Sequence, residues 1–250
     1  MNIAEKTLQL KEDFDEVYEA GKQKARSDFW DSYQNYGKRT DYSYAFYNND
    51  WIQYYPWNGD TIKPKYDIVP TNANRMFYRV KGIEDLGKHF EELGIKFDLS
   101  KATNVALTFP YIDCVKLPII DCSNATTIDN TFNYCSNLET IEKLVLSEKL
   151  KSISGPCIDC YALKNIVIEG VIPVSISFNR SPLTVASLKS IITHLKDYTG
   201  TSNEFSYTVT LKATAFAELE NEGATAEYNG VACTWRELID NFKWNLVLVG

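Results

Sequence analysis

A chain of 250 residues that is 44% hydrophobic and 24% charged can bury a core and still present a polar surface. Its formal charge of -7, with 26 basic against 33 acidic residues and no clustered run of Lys or Arg, argues against nucleic acid and anionic membrane as partners. No window approaches about 18 apolar residues and the opening Met1 to Leu8 lacks an uninterrupted apolar run, so neither a membrane span nor Sec export is expected.

In residues 1–28, Ile3, Leu10 and Val17 form one line at heptad spacing, with Thr7, Phe14 and Gly21 beside it. This predicts a helix with one apolar seam, the acidic Glu12, Asp13, Asp15 and Glu16 remaining solvated. A seam of about three heptads is marginal alone and needs a partner. That partner is the chain's own body, or further copies of the chain, a trimer for example, or a larger assembly; without one the segment is disordered. In the second case Ile3, Leu10, Phe14 and Val17 carry the oligomerisation contacts.

Residues 29–75 are dense in aromatic side chains separated by Asn, Asp and Gly. Two readings stand: a cap covering the apolar end of the neighbouring segment from residue 76, or a ligand platform formed by Trp51, Tyr54, Tyr55 and Trp57.

Residues 76–178 repeat. The stretch Asp98 to Phe109 returns as Asp121 to Phe132, 23 positions on, with Asp, Ser, Ala, both Thr and Phe retained. Apolar or small residues recur at every third position: Phe77, Val80, Ile83, Leu86; Phe109, Ile112, Val115, Pro118; Phe132, Cys135, Leu138, Ile141; and Cys157, Cys160, Leu163, Ile166. Val105, Ile128 and Ile153 stand four residues before their anchors. Such a period predicts a solenoid, because one coil cannot bury its apolar edge alone. Short parallel strands are expected at Lys96–Leu99, Leu117–Asp121, Lys143–Leu146 and Asn165–Glu169. Gly155 and Pro156 depart from the repeat's commoner residues. Three of the six cysteines sit on the apolar positions, which predicts reduced, buried thiols rather than disulfides.

In 179–250 the periodicity changes. Thr184 is the expected N-cap of a helix with Leu188, Ile191, Ile192 and Leu195 on one face, ended by Gly200. Then come a strand over Phe205–Leu211, a helix over Ala213–Asn221, a hairpin through Asn229-Gly230, and a helix capped by Thr234 that turns Trp235, Leu238, Ile239 and Phe242 inward. A closing strand spans Trp244–Val249. This α+β segment is expected to cap the last coil.

Catalytic patterns are absent. His89 and His194 are the only imidazoles, and no Gly-rich phosphate loop, Gly-x-Ser-x-Gly elbow or His-Glu-x-x-His is present. Cys157 and Cys160 have the spacing of half a zinc site, but both fall on the repeat's apolar edge and no second pair completes four ligands. Asp98 and Asp121 are equivalent positions, suited to a repeated loop bond or, less readily, to Ca²⁺. No enzyme activity, cofactor or metal is expected.

The pattern Ile128-x3-Phe132-x2-Cys135-x2-Leu138-x2-Ile141, repeated from Ile153 to Ile166, resembles the BspA-type leucine-rich repeats of bacterial surface proteins. The flanks are similar to leucine-rich-repeat proteins encoded by phages and prophages of gut Firmicutes, often near tail genes. They include Val17 to Lys22, Phe29 to Asp31, Tyr44 to Tyr47, Ser181 to Thr184 and His194 to Tyr198. The resemblance implies an α/β solenoid that binds without catalysis, in a virion or in the producing bacterium's cytoplasm before assembly. Its partner would be a protein or glycan on a bacterial surface, or neighbouring virion subunits. The alternative is a cell-surface adhesin or secreted interaction module of the same repeat type.

Overall fold

Residues one repeat apart in the chain lie side by side. The computed structural model describes residues 41–43, 45, 67–223 and 225–250. In chain order these form α1 (Leu86–Leu93), β1 (Lys116–Asp121), β2 (Thr140–Leu146), β3 (Asn165–Gly170), β4 (Ile176–Phe178) and α2 (Val185–Thr193). After these come β5 (Thr208–Lys212), α3 (Ala213–Asn221), β6 (Ala226–Tyr228), β7 (Val231–Cys233), α4 (Trp235–Asn241) and β8 (Asn245–Val249). The architecture is mixed α/β with two open parallel sheets, β1-β2-β3 and β4-β5-β8, plus the antiparallel pair β6-β7.

The parallel register sets Leu117 beside Ile141 and Ile141 beside Ile166. Single parallel bridges from Asn72 through Asn104 and Thr127 to Ser152 mark the same stacking in the loops. The N–H groups of Phe77, Phe109 and Phe132 donate to the carbonyls of Thr108, Thr131 and Pro156 at 2.8, 2.9 and 2.8 Å. The three phenylalanine rings are buried and stacked, with centroids 5.6 and 5.7 Å apart and planes within 6°. Buried Thr108 and Thr131 each place their one hydroxyl proton between two carbonyls, so their hydroxyls enter the core without an unmet donor.

Two positions in each of four successive repeat stretches among the described residues adopt left-handed backbone. Arg75, Leu107, Asn130 and Gly155 form the first set, with φ of 55, 56, 54 and 50°. Arg79, Tyr111, Tyr134 and Asp159 form the second, with φ of 59, 59, 60 and 59°. Gly155 thus occupies a place that suits glycine, and Pro156 still supplies the carbonyl that Phe132 requires, so the last coil keeps the geometry of the others.

Several sequence expectations are corrected. In the coil after Phe109 the buried positions are Ile112, Cys114 and Leu117, whereas Val115 and Pro118 are half-buried. One residue fewer separates Phe109 from its strand than separates Phe132 from Ile141, and the pairing of Leu117 with Ile141 forces the slip. The strand expected at Lys96–Leu99 is a single bridge between Ile68 and Phe97. Helix α1, capped by Asp85 and ended by Gly94, occupies the preceding chain and leaves only three residues before the turn at Asp98. The every-third-residue count does not predict that helix. Helix α2 ends at Thr193 rather than running to Gly200, because the next residue but one, Leu195, bridges to Ile172. Strand β5 begins at Thr208, and Phe205 before it is exposed in a left-handed turn.

The C-terminal segment otherwise follows its local signals. Thr184 Oγ1 accepts from Ser187 N, and Leu188, Ile191, Ile192 and Leu195 are buried. Asn229 and Gly230, with φ of 51 and 79°, make the two-residue turn between β6 and β7. Thr234 and Glu237 form a reciprocal capping box on α4, and Trp235, Leu238 and Ile239 are buried, with Phe242 packed against them. Helix α2 lies along the outer edge of β3, where Ser187 and Ser190 hydroxyls accept the Ile166 and Ile168 N–H groups at 2.9 and 2.8 Å. An open strand edge is thereby covered.

Candidate binding surface

The platform candidates Trp51, Tyr54, Tyr55 and Trp57 and the oligomerisation candidates Ile3, Leu10, Phe14 and Val17 lie outside the described residues. Of the aromatic segment, Tyr42 is described and is buried in the core beneath the first stacked loops.

The other candidates settle into packing roles. Asp98 and Asp121 accept the N–H groups of Ser100 and Ser123 at 2.8 and 2.9 Å, so each carboxylate closes its own turn. Among the described residues no group of three His, Cys, Asp or Glu side chains is placed to hold a metal, and no helix is long and apolar enough to cross a membrane. His194 Nδ1 sits 2.7 Å from the Ser190 carbonyl on its own helix. His89 is half-buried beside Phe90.

All six cysteines are free thiols, five of them buried. Cys135 and Cys160 occupy equivalent positions and donate to the carbonyls of Phe109 and Phe132 at 3.1 and 3.0 Å. Burial pushes the Cys114 thiol up to about 12 and raises Cys122, Cys135 and Cys157 as well. Thiolate is scarce at neutral pH at every one of these positions. An aromatic disulfide reagent is therefore expected to titrate one thiol, half-exposed Cys233, in the native protein and six after denaturation. Rapid native reaction of two or more would contradict the buried column.

What the stacking does assemble at the surface is a column of tyrosines. Tyr111 and Tyr134, the second left-handed positions of their coils, have rings 4.6 Å apart and 8° from parallel. Tyr78 lies 5.5 Å from Tyr111, and the Arg79 guanidinium sits 5.6 and 5.2 Å from the Tyr78 and Tyr111 ring centroids. Tyr134 is 43% exposed. Beside the column runs a groove whose lining includes Arg79, Lys81, Tyr111, Tyr134, Ser136 and Asn137. One coil further along, Arg180 pairs with Asp159 at 2.6 Å and lies over the exposed ring of Tyr161, whose hydroxyl also donates to Asp159. Desolvation first, then the neighbouring phenols of Tyr78 and Tyr134, raise the Tyr111 hydroxyl above its ordinary value, keeping it a neutral hydrogen-bonding group.

The sequence carries a signal for this column. Tyr111 and Tyr134 each stand two residues after the anchors Phe109 and Phe132, where the neighbouring coils have Arg79 and Asp159. The denser aromatic segment before residue 67 is the more conspicuous platform signal and masks it. No family model, curated protein or solved structure matches the chain.

Proposed function

We propose that the chain is a short leucine-rich-repeat solenoid of the BspA type that works as a non-catalytic binding protein, with the tyrosine column and its groove as the contact surface. One observation carries this reading: two stacked rings, half-buried Tyr111 and exposed Tyr134, stand on left-handed backbone side by side. That conformation costs a non-glycine residue roughly 1–2 kcal/mol, and glycine or asparagine would hold the turn at less strain. The rings contribute little to the interior, so an external partner is the use that accounts for them.

The similarity of the flanks to phage and prophage proteins favours a tail-associated role, in contact with a host surface or neighbouring virion subunits. A cell-surface adhesin would present the column in the same way.

Attachment of the purified, fluorescently labelled protein to cells of gut Firmicutes tests the surface. Tyr134→Ala is expected to reduce attachment several-fold while shifting the melting temperature by no more than a few degrees, since the ring is 43% exposed. Undiminished attachment with an intact fold would remove the column from the function.

A further inference from the structure

Among the described residues, two cations flank the tyrosine column without a carboxylate at ion-pair distance. In a chain of net charge -7, Lys96, Lys116, Lys143, Arg180 and Arg236 each hold an acidic partner. Arg79 and Lys81 have none within ion-pair distance among the described residues, although both are exposed and line one groove. Asp113 lines the same groove, its Oδ1 accepting the Gly82 N–H at 2.8 Å; its charge offsets one of the two cations and leaves the lining with a net positive charge.

Arg79 is held by its stacking. With the guanidinium lying by the Tyr78 and Tyr111 rings, its N–H edge is preorganised for a planar, two-oxygen anion. Along the groove, the Tyr134 ring together with Ser136 and Asn137 offers an apolar surface interleaved with hydroxyl and amide groups. Sugars present that same mixture, with C–H faces beside hydroxyls. A peptide partner would ask for a strand edge or a side-chain pocket. The lining residues of this groove belong to turns and irregular loops and present no strand to pair with.

We infer that this groove binds an acidic polysaccharide, a glycan carrying sugar carboxylates, with Arg79 and Lys81 on the carboxylates and Tyr134 against a sugar ring. The inference rests on the column being the contact surface.

The test is calorimetric titration of the full chain with oligogalacturonate and with its methyl ester, which keeps the sugar and removes the charge. The acid form is expected to bind at least tenfold tighter than the ester, with affinity falling as salt is raised. Arg79→Gln and Lys81→Gln should each weaken the acid form about fivefold and leave the ester unchanged. Tyr134→Ala should weaken both. Equal binding of acid and ester, lost in Tyr134→Ala but not in Arg79→Gln, would overturn the acidic-glycan inference and leave the column as a neutral-sugar surface. Polyglutamate binding as tightly as oligogalacturonate, insensitive to Tyr134→Ala, would also overturn it in favour of an acidic peptide. No binding of either glycan, alongside cell attachment that still depends on Tyr134, would overturn the ligand class alone. Loss of that dependence on Tyr134 would remove the surface too.

Discussion

Phe132→Ala is expected to lower stability by about 3–5 kcal/mol, the usual range for a buried phenylalanine cut to alanine. At roughly 2–4 °C per kcal/mol for a chain of this size, the melting temperature should fall by about 6–20 °C. The ring is fully buried and stacks on Phe109 at 5.7 Å. Its backbone is held on both faces, the N–H by the Pro156 carbonyl and the carbonyl by the Cys160 thiol. Neighbouring repeat stretches are held together by these bonds, which limits how far they can close over the space left behind. Leu138→Ala and Leu163→Ala, also fully buried, should come next at about 2–5 kcal/mol. Ile119→Ala, on a residue 51% exposed in β1, serves as the control and should stay within about 0.5 kcal/mol. Urea titration reads the difference as a lower midpoint at unchanged slope. A Phe132→Ala midpoint close to that of Ile119→Ala would mean the ring column does not hold the coils.

Gly170→Ala is the second large effect, for a different reason. Gly170 closes β3 opposite Leu146 with φ of 85°, and a Cβ built there would stand 2.1 Å from the Leu146 carbonyl oxygen. Backbone in a paired strand cannot swing aside as a side chain would. Strain and clash together should cost more than about 2–3 kcal/mol. Gly200→Ala makes the comparison: its φ is 72° but nothing lies within 4 Å of the added carbon, so only the conformational term of roughly 1–2 kcal/mol remains. Amide exchange gives a local readout. The Ile166 and Ile168 N–H groups, bonded to the α2 serines, should lose protection first in Gly170→Ala. Equal costs for the two glycine substitutions would contradict the close approach of β2 and β3.

The parts of this molecule legible in the amino-acid order are those governed by near neighbours. Thr184 and Thr234 cap their helices because a hydroxyl can reach an N–H three residues on. Asn229-Gly230 makes its turn because both residues tolerate positive φ. Asp98 and Asp121 close equivalent turns for the same local reason. Local rules mislead where they meet another element. The every-third-residue count runs through Val115 and Pro118 until pairing with β2 shows that Leu117 is the equivalent of Ile141. Leu86, counted as one more rung, is also the first residue of a helix announced by Asp85 and Gly94.

Apolar spacing alone determined that Phe77, Phe109 and Phe132 would be interior, that consecutive stretches would have to stack to bury them, and that parallel strands would result. Burial of a periodic edge favours stacking, so the period is enough to expect parallel strands, though not helix α1 or the single bridge at Phe97. Tertiary structure alone decided which outward residues meet. Tyr111 and Tyr134 are 23 positions apart in the chain, yet their rings lie 4.6 Å apart, with Arg79 at the end of the column and Lys81 beside it in the groove. Surface side chains acquire neighbours only once the coils are in register, and the register is set by the buried residues beneath them.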